Sequence, residues 1–331
     1  MKLSILDQAP ISAGKTAQEA LQSSVKLAQL GEELGYHRYW IAEHHDLFGL
    51  ACPNPDVMLG VIGAQTNTIR IGAGAVLLPY YKPFRVAETY HLLATLFPGR
   101  IDLGIGRAPG GSAEVSMALS DNYLKQVREY PQQIDELNNF FTHNFPKDHP
   151  YGKIKPTPVP PIPLQTWLLG TSEKSAVLAA EKGLDYAFGH FMTNAQGPEV
   201  VKLYRKNFRK FHDSHGRVIV AMHVICAETT EKAEKLAESV LLWKVLQEKV
   251  TGPHKIPSRD TVKNYSFTTK EKEKIDQLKK KMIIGNPIQV KEKIIALNTQ
   301  YEANEIMIVT ITYDEEAKFI SYRLLAEQFK N

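Results

Sequence analysis

The sequence predicts an α/β fold: a single (β/α)8 TIM barrel over residues 1 to 331, with a charged insertion at about 244 to 285. Three observations predict it. Apolar runs of strand length alternate with amphipathic stretches of helix length along the chain. Eight such runs fit within 331 residues, a size suited to one barrel of this kind. Connections in the first half are short, as expected for parallel strands joined by crossover helices.

LSILD (3 to 7) is the first strand. Thr16, with Glu19 three residues on, makes a capping box, and Ala17, Ala20, Leu21, Val25, Ala28 and Leu34 recur behind it at helical spacing. HRYWIA (37 to 42) is the second strand, and Pro55 opens a helix through DVMLGVIGAQT. IRIGAGAVLL (69 to 78) is the third strand, with small residues set into it. Pro83 starts the helix FRVAETYHLLATLF, and Pro98-Gly99 stops it. RIDLGIGRA (100 to 108) is the fourth strand. LQTWLLG (164 to 170), DYAFGHF (185 to 191), RVIVAMHVICA (217 to 227) and EIMIVT (305 to 310) are strands five to eight. Helices follow from Ser172, near Gly197, from Thr230 and from Asp314. Two segments break the rhythm. The proline-rich stretch 142 to 163 reads as an extended excursion, and 244 to 285 as a lid-like insertion between strands seven and eight.

Composition narrows the function classes. With 43% hydrophobic and 23% charged residues, a well-buried core is expected. A formal charge of +4, spread along the chain, gives no footprint for nucleic acid. The basic stretch KEKEKIDQLKKK (270 to 281) alternates signs, as a solvated helix face does. The two distant cysteines argue against a disulfide framework, and no apolar run approaches membrane-spanning length. The expectation is a soluble, cytoplasmic protein.

Barrel active sites lie at the C-terminal ends of the strands. WIAEHHDLFG (40 to 49) places Glu43, His44 and His45 at such an end. The residues alone admit a polar surface turn, a metal site or an acid/base histidine. Adjacent histidines on extended backbone point opposite ways, and neither HxH nor HExxH occurs, which weakens the metal reading. A histidine's ordinary pKa suits proton transfer. DLGIGRAPGG (102 to 111) fails the dinucleotide fingerprint, because Pro109 stands where the third glycine belongs. Arg107 remains, leaving strand four as a solvated residue or an anion clamp. LLGTSEKSA (168 to 176) runs from strand five into a helix, and its hydroxyls can cap that helix or bind a phosphate there. Gly72 to Val76 puts glycines inside a strand, where backbone packs closely against a helix or a ligand. His190, Met192 and His223, near other strand ends, read as packed or solvated.

AEHH, IGAGAVLLPYYKPFRVAE, PGRIDLGIGRAPGG and LLGTSEKSAVLAAEKGL, in this order, resemble the bacterial-luciferase-like flavin-dependent monooxygenases. The resemblance implies a (β/α)8 barrel that binds reduced FMN at the strand C-termini. It gives Arg107 the FMN phosphate, with Ser172, Ser175 and the Thr171 backbone completing the cradle. It puts a non-proline cis peptide at Gly74-Ala75, against which the isoalloxazine rests. His44 matches an acid/base histidine beside the flavin, and His45 and Glu88 match a pair meeting across a homodimer interface. Gly106 stands where luciferase carries a cysteine, so light emission is not expected. The implied activity is a two-component monooxygenase, taking FMNH2 from a separate NAD(P)H:flavin reductase and using O2 to oxygenate a small organic substrate. A deazaflavin-dependent dehydrogenase and a non-catalytic flavin-binding protein are the alternatives.

Overall fold

Nine strands and thirteen α-helices occur among the described residues of the computed structural model, which are 1–193, 196–210, 215–247 and 255–330. The chain begins β1 (Lys2–Asp7), α1 (Ala17–Leu34), β2 (Arg38–Ile41), α2 (Pro55–Ala64), β3 (Arg70–Leu77), α3 (Pro83–Leu96) and β4 (Ile101–Gly106). Next come α4 (Ala113–Leu119), α5 (Tyr123–Arg128), α6 (Tyr130–Thr142), β5 (Gln165–Gly170), α7 (Glu173–Glu181), β6 (Asp185–Gly189) and α8 (Gly197–Asn207). The last part holds β7 (Val218–Cys226), α9 (Thr230–Leu246), α10 (Arg259–Lys263), α11 (Thr269–Lys280), β8 (Met282–Gly285), α12 (Pro287–Tyr301), β9 (Glu305–Val309) and α13 (Glu315–Phe329).

Local signals explain the helix ends. Thr16 and Glu19 form the capping box of α1, and Gly35, at φ 81°, ends it in the left-handed region. Proline opens both α2 and α3. Every strand pairing is parallel. β1 to β6 pair in sequence order, β6 pairs with β7, and β9 closes the ring between β7 and β1. The chain is therefore a closed eight-stranded barrel surrounded by helices.

The ninth strand was not expected. β8 is the four-residue run MIIG, inside the stretch assigned from sequence to the insertion. Its apolar run is too short to stand out beside the charged helix α11. It pairs with β7 at His223 to Cys226, beyond the point where β6 ends at Ala221. Residues 248–254 of the expected insertion lie outside the described residues. The part that follows is tied to the far rim: Ile256 N–H donates to the Ile11 carbonyl at 2.9 Å, and Ala13 N–H to the Ile256 carbonyl at 2.8 Å. Two other boundaries differ. The strand expected through 191 ends at Gly189 and continues as a 3-10 turn, His190–Met192. The fourth strand, expected through Ala108, ends at Gly106, and no helix opens until Ser112 caps α4.

Alternating strand residues divide the core. Outward residues such as Ile5, Ile71 and Val220 pack under the helices, whereas Leu6, Trp40, Trp167, Ile219 and Met307 fill the barrel. At the N-terminal end the interior is charged. Buried Arg38 donates to Glu305 at 2.7 and 3.0 Å and to Asp102 at 2.6 Å, and Trp40 Nε1 donates to Asp102 at 3.0 Å. Burial opposes the Asp102 charge, but Arg38 and then Arg70 hold its carboxyl below the usual range. The floor of the barrel is thus sealed, and a ligand must enter from the other end.

Candidate active site

At that other end, the turn after β2 is built around Glu43. Its buried carboxylate accepts the Tyr81 hydroxyl at 2.8 Å and the Leu77 N–H at 3.0 Å, and lies 2.8 Å from His45 Nε2. One side chain therefore joins the ends of β2 and β3. Burial, then the Glu43 charge, push the Tyr81 phenol up, so it remains a donor. The loop after β4 docks on the same turn. His45 N–H donates to the Gly110 carbonyl at 2.9 Å, and a Cβ on Gly111 would lie 2.4 Å from the His45 carbonyl oxygen. Glycine is required there for the two backbones to approach.

The two histidines have different surroundings. His45 faces Glu43 and meets the Tyr80 ring edge-on at 5.8 Å. His44 is held through its backbone N–H, which donates to the Cys52 carbonyl at 3.0 Å. Its Nδ1 is buried with no hydrogen-bond partner. Burial, helped by His45, brings its pKa down to about 4, so the imidazole is neutral at physiological pH.

On β3 and β4, Gly72, Gly74 and Gly104 lie beside Trp40, Leu6 and Leu169, on the inward face. Any Cβ at Gly104 would meet the Ala73 carbonyl oxygen at 2.3 Å. Gly106 is less confined, its nearest neighbour being the Ala75 Cβ at 3.2 Å. The Gly74-Ala75 peptide is cis, and the β3–β4 register shifts between Ala73 and Val76. Trp40, Leu6 and Leu169 fill the space beside Gly72, Gly74 and Gly104, which leaves Gly106 as the least crowded glycine of this wall.

Arg107 leaves β4 exposed, with its carbonyl accepting the Tyr123 hydroxyl at 2.8 Å. Its guanidinium has no acidic partner among the described residues. Ile105 pairs with Leu168 in register, so Arg107 and Gly170, each two residues further, leave adjacent strands side by side. Thr171 and Ser172 follow, and Ser172 caps α7. Ser175 is turned inward: its hydroxyl accepts the Ser172 N–H at 3.2 Å and lies 2.9 Å from the Tyr186 hydroxyl. A free guanidinium beside a capped helix start with half-exposed Thr171 and Ser172 fits a phosphate. Together with Gly106 and the open His44 Nδ1, these residues fit a phosphate-bearing cofactor.

Glu88 lies away from this rim, on α3, where Arg85 stands 3.8 Å from it. Within one chain His45 and Glu88 do not bond. Around β7 lie His223 and His190, which the sequence reads as packed or solvated, and both are packed. His223 is fully buried with both ring nitrogens unbonded, and His190 Nδ1 lies 2.8 Å from the Tyr301 hydroxyl. Strict alternation along β7, with Ile219, Ala221 and Ile225 inward, was the signal that placed His223 inside. An open hollow lined by Met1, Ile295, Asn298, Thr299, Glu302 and Phe329 lies elsewhere, with no acid/base pair or anion clamp.

The family model described as luciferase-like monooxygenase matches residues 1–301. The chain belongs to the luciferase-like monooxygenase family. An N-acetyl-S-alkylcysteine monooxygenase of Bacillus subtilis is 38% identical, over 99% of this chain and 98% of that protein. Among solved structures, apo-MsnO8 superposes with a TM-score of 0.88 at 32% identity, covering 99% of this chain and 98% of that one. The oxygenating constituent of 3,6-diketocamphane monooxygenase from Pseudomonas putida, in complex with FMN, has a TM-score of 0.72. At 18% identity, covering 99% of this chain and 97% of that chain, it shares the fold. No helix among the described residues is long and apolar enough to cross a membrane.

Proposed function

We propose that this chain is the FMN-dependent oxygenase of a two-component system acting on a small organic substrate. The observation that carries the reading is the Arg107 guanidinium, without an acidic partner among the described residues, beside the Thr171–Ser172 start of α7. That pair would hold the phosphate, with Ser175 fixing Ser172 from behind. The Gly74-Ala75 cis peptide and Gly106 would back the ring system. Reduced FMN, when bound, would supply the two electrons that place one atom of O2 on the substrate and release the other as water.

The rest falls to the chain's own residues. His44, neutral with an open Nδ1, can accept or relay a proton at that atom. Trp40, Leu6 and Trp167 exclude water from below. The insertion, tied across the mouth at Ile256, would cover the site from above as a lid. No nicotinamide fingerprint is present, which favours reduction by a separate NAD(P)H:flavin reductase. The N-acetyl-S-alkylcysteine monooxygenase suggests an organic sulfide as a first substrate to try.

A homodimer belongs to the same reading. α2 and α3 leave Val57, Val61, Leu92 and Leu96 exposed, with Glu88 among them, and His45 of one subunit would face Glu88 of the other. Cys52 and Cys226 are free and buried, which suits a reducing cytoplasm.

Anaerobic titration with FMNH2, followed by mixing with O2, tests the function. Binding that Arg107→Ala weakens at least tenfold, with oxygen consumption coupled to substrate oxidation, is the expected result. Wild-type protein that fails to bind FMNH2 sinks it. Preference for a deazaflavin would move the chain to a dehydrogenase, and binding without turnover to a flavin carrier.

A further inference from the structure

Three basic side chains, from β7, α9 and the turn between α11 and β8, converge at the β7 side of the barrel mouth, and among the described residues no acid faces them. His223 continues the inward row of β7 and is 1% exposed, with both ring nitrogens unbonded. Lys244 stands three and four residues beyond Leu241 and Val240, both members of the barrel-interior cluster, so it shares that face of α9. Lys281 directly precedes Met282, the β8 residue opposite His223 in register. Ile275 and Leu278 of α11 pack against the same cluster, giving the basic groups apolar walls.

Electrostatics agrees with this placement. Burial, then Lys244, pushes His223 down to about 3. Burial lowers Lys244 as well, reinforced by Lys281 and Lys274. Burial, then Lys281, lowers His190 on the neighbouring strand end. Among the described residues, neither Lys244 nor Lys281 meets a carboxylate. Burying like charges against apolar walls is unfavourable unless an anion completes the set.

We infer that His223, Lys244 and Lys281 form a socket for the carboxylate, or a similar oxyanion, of the oxygenation substrate. This inference rests on the monooxygenase reading for its role but not for its detection. The flavin phosphate is provided for elsewhere, at Arg107 and α7. A neutral His223 donates one N–H to the anion, and the two ammonium groups supply the charge.

N-acetyl-S-methylcysteine and its methyl ester, which differ by one negative charge, are the probes. Calorimetry on the full chain loaded with FMN should show the acid binding at least tenfold more tightly than the ester. Lys244→Met and Lys281→Met should each abolish that preference while leaving FMN affinity within about twofold. Labelling of the FMN-free protein with acetic anhydride, read by mass spectrometry, should show Lys244 shielded by the acid and not by the ester. Equal binding of acid and ester, or variants that lose both equally, overturns the socket. Should neither probe bind, the labelling repeated with acetate, benzoate and succinate decides: no shielding by any of them overturns it. A wild-type protein that does not take FMN yet shows shielding sinks the monooxygenase reading and leaves the socket standing.

Discussion

Adjacent residues 44 and 45 show how far surroundings can separate two chemically identical side chains. His45 lies against Glu43, whereas His44 is buried with an open nitrogen and a pKa of about 4. His44→Asn should lower turnover by 10²- to 10⁴-fold while leaving FMNH2 affinity within about threefold, as stopped-flow assays would show. The neutral ring also affects stability. A histidine with ordinary pKa 6.5 in the unfolded chain and about 4 in the folded one leaves stability unchanged above pH 6.5 and erodes it as pH falls towards 4. The loss should reach about 3 kcal/mol, and His223 adds to it in the same sense. Denaturant midpoints at pH 7 and 4.5 should therefore converge in His44→Asn relative to wild type. The sequence singled out the 43 to 45 turn as a candidate but not which residue touches what. Histidines on extended backbone were expected to face opposite sides, and they do differ in surroundings. Glu43 was expected only to anchor the turn by hydrogen bonds; its part in joining β2 to β3 depends on Leu77 and Tyr81, which are distant in the chain.

At the scale of elements, the site depends on two junctions. The α7 start combines capping and ligand-facing groups. Ser172→Ala should cost about 1 kcal/mol of stability and weaken FMN binding, whereas Ser175→Ala should cost stability with a smaller effect on FMN. Thermal melts and flavin titrations on the same samples separate the two effects. The second junction is the loop after β4. In Gly111→Ala the new methyl group meets the His45 carbonyl, so the loop must shift and carry Arg107 with it. Weaker FMN binding with an unchanged far-ultraviolet spectrum is the expected outcome. Caps and proline starts were legible because they are local: Thr16, Pro55, Pro83 and Ser172 each act within one turn. β8 was not, because MIIG becomes a strand only where β7 extends past β6 and offers it an edge. Lys244 was hidden for a similar reason, its helical face being clear and the object that face packs against being invisible in the sequence.

For the molecule as a whole, the charged floor and the proposed site sit at opposite ends of the barrel. Arg38 is enclosed by Asp102 and Glu305, and removing it leaves buried Glu305 without its arginine and Asp102 with Arg70 alone. Arg38→Met should therefore cost about 3–5 kcal/mol in chemical denaturation, more than a typical core truncation at the mouth. Because the Asp102 carboxyl is held below its usual range, the stability it contributes is present above its unfolded pKa near 4 and is lost as pH falls below that. The barrel itself was readable from the β-α rhythm, since alternation requires parallel strands and crossover helices. The charged floor was not, because Arg38, Asp102 and Glu305 come from strands far apart in the chain.

β7 outruns β6 by several residues, and its overhang is where β8 attaches. A graft fixed to an overhang leaves the closed ring beneath it intact. The stretch from α10 to β8 (259 to 285) can therefore diverge, lengthen or be exchanged without disturbing strand pairing around the barrel. Such an arrangement lets one scaffold acquire new appetites by rewriting its brim, with the furnace underneath left untouched.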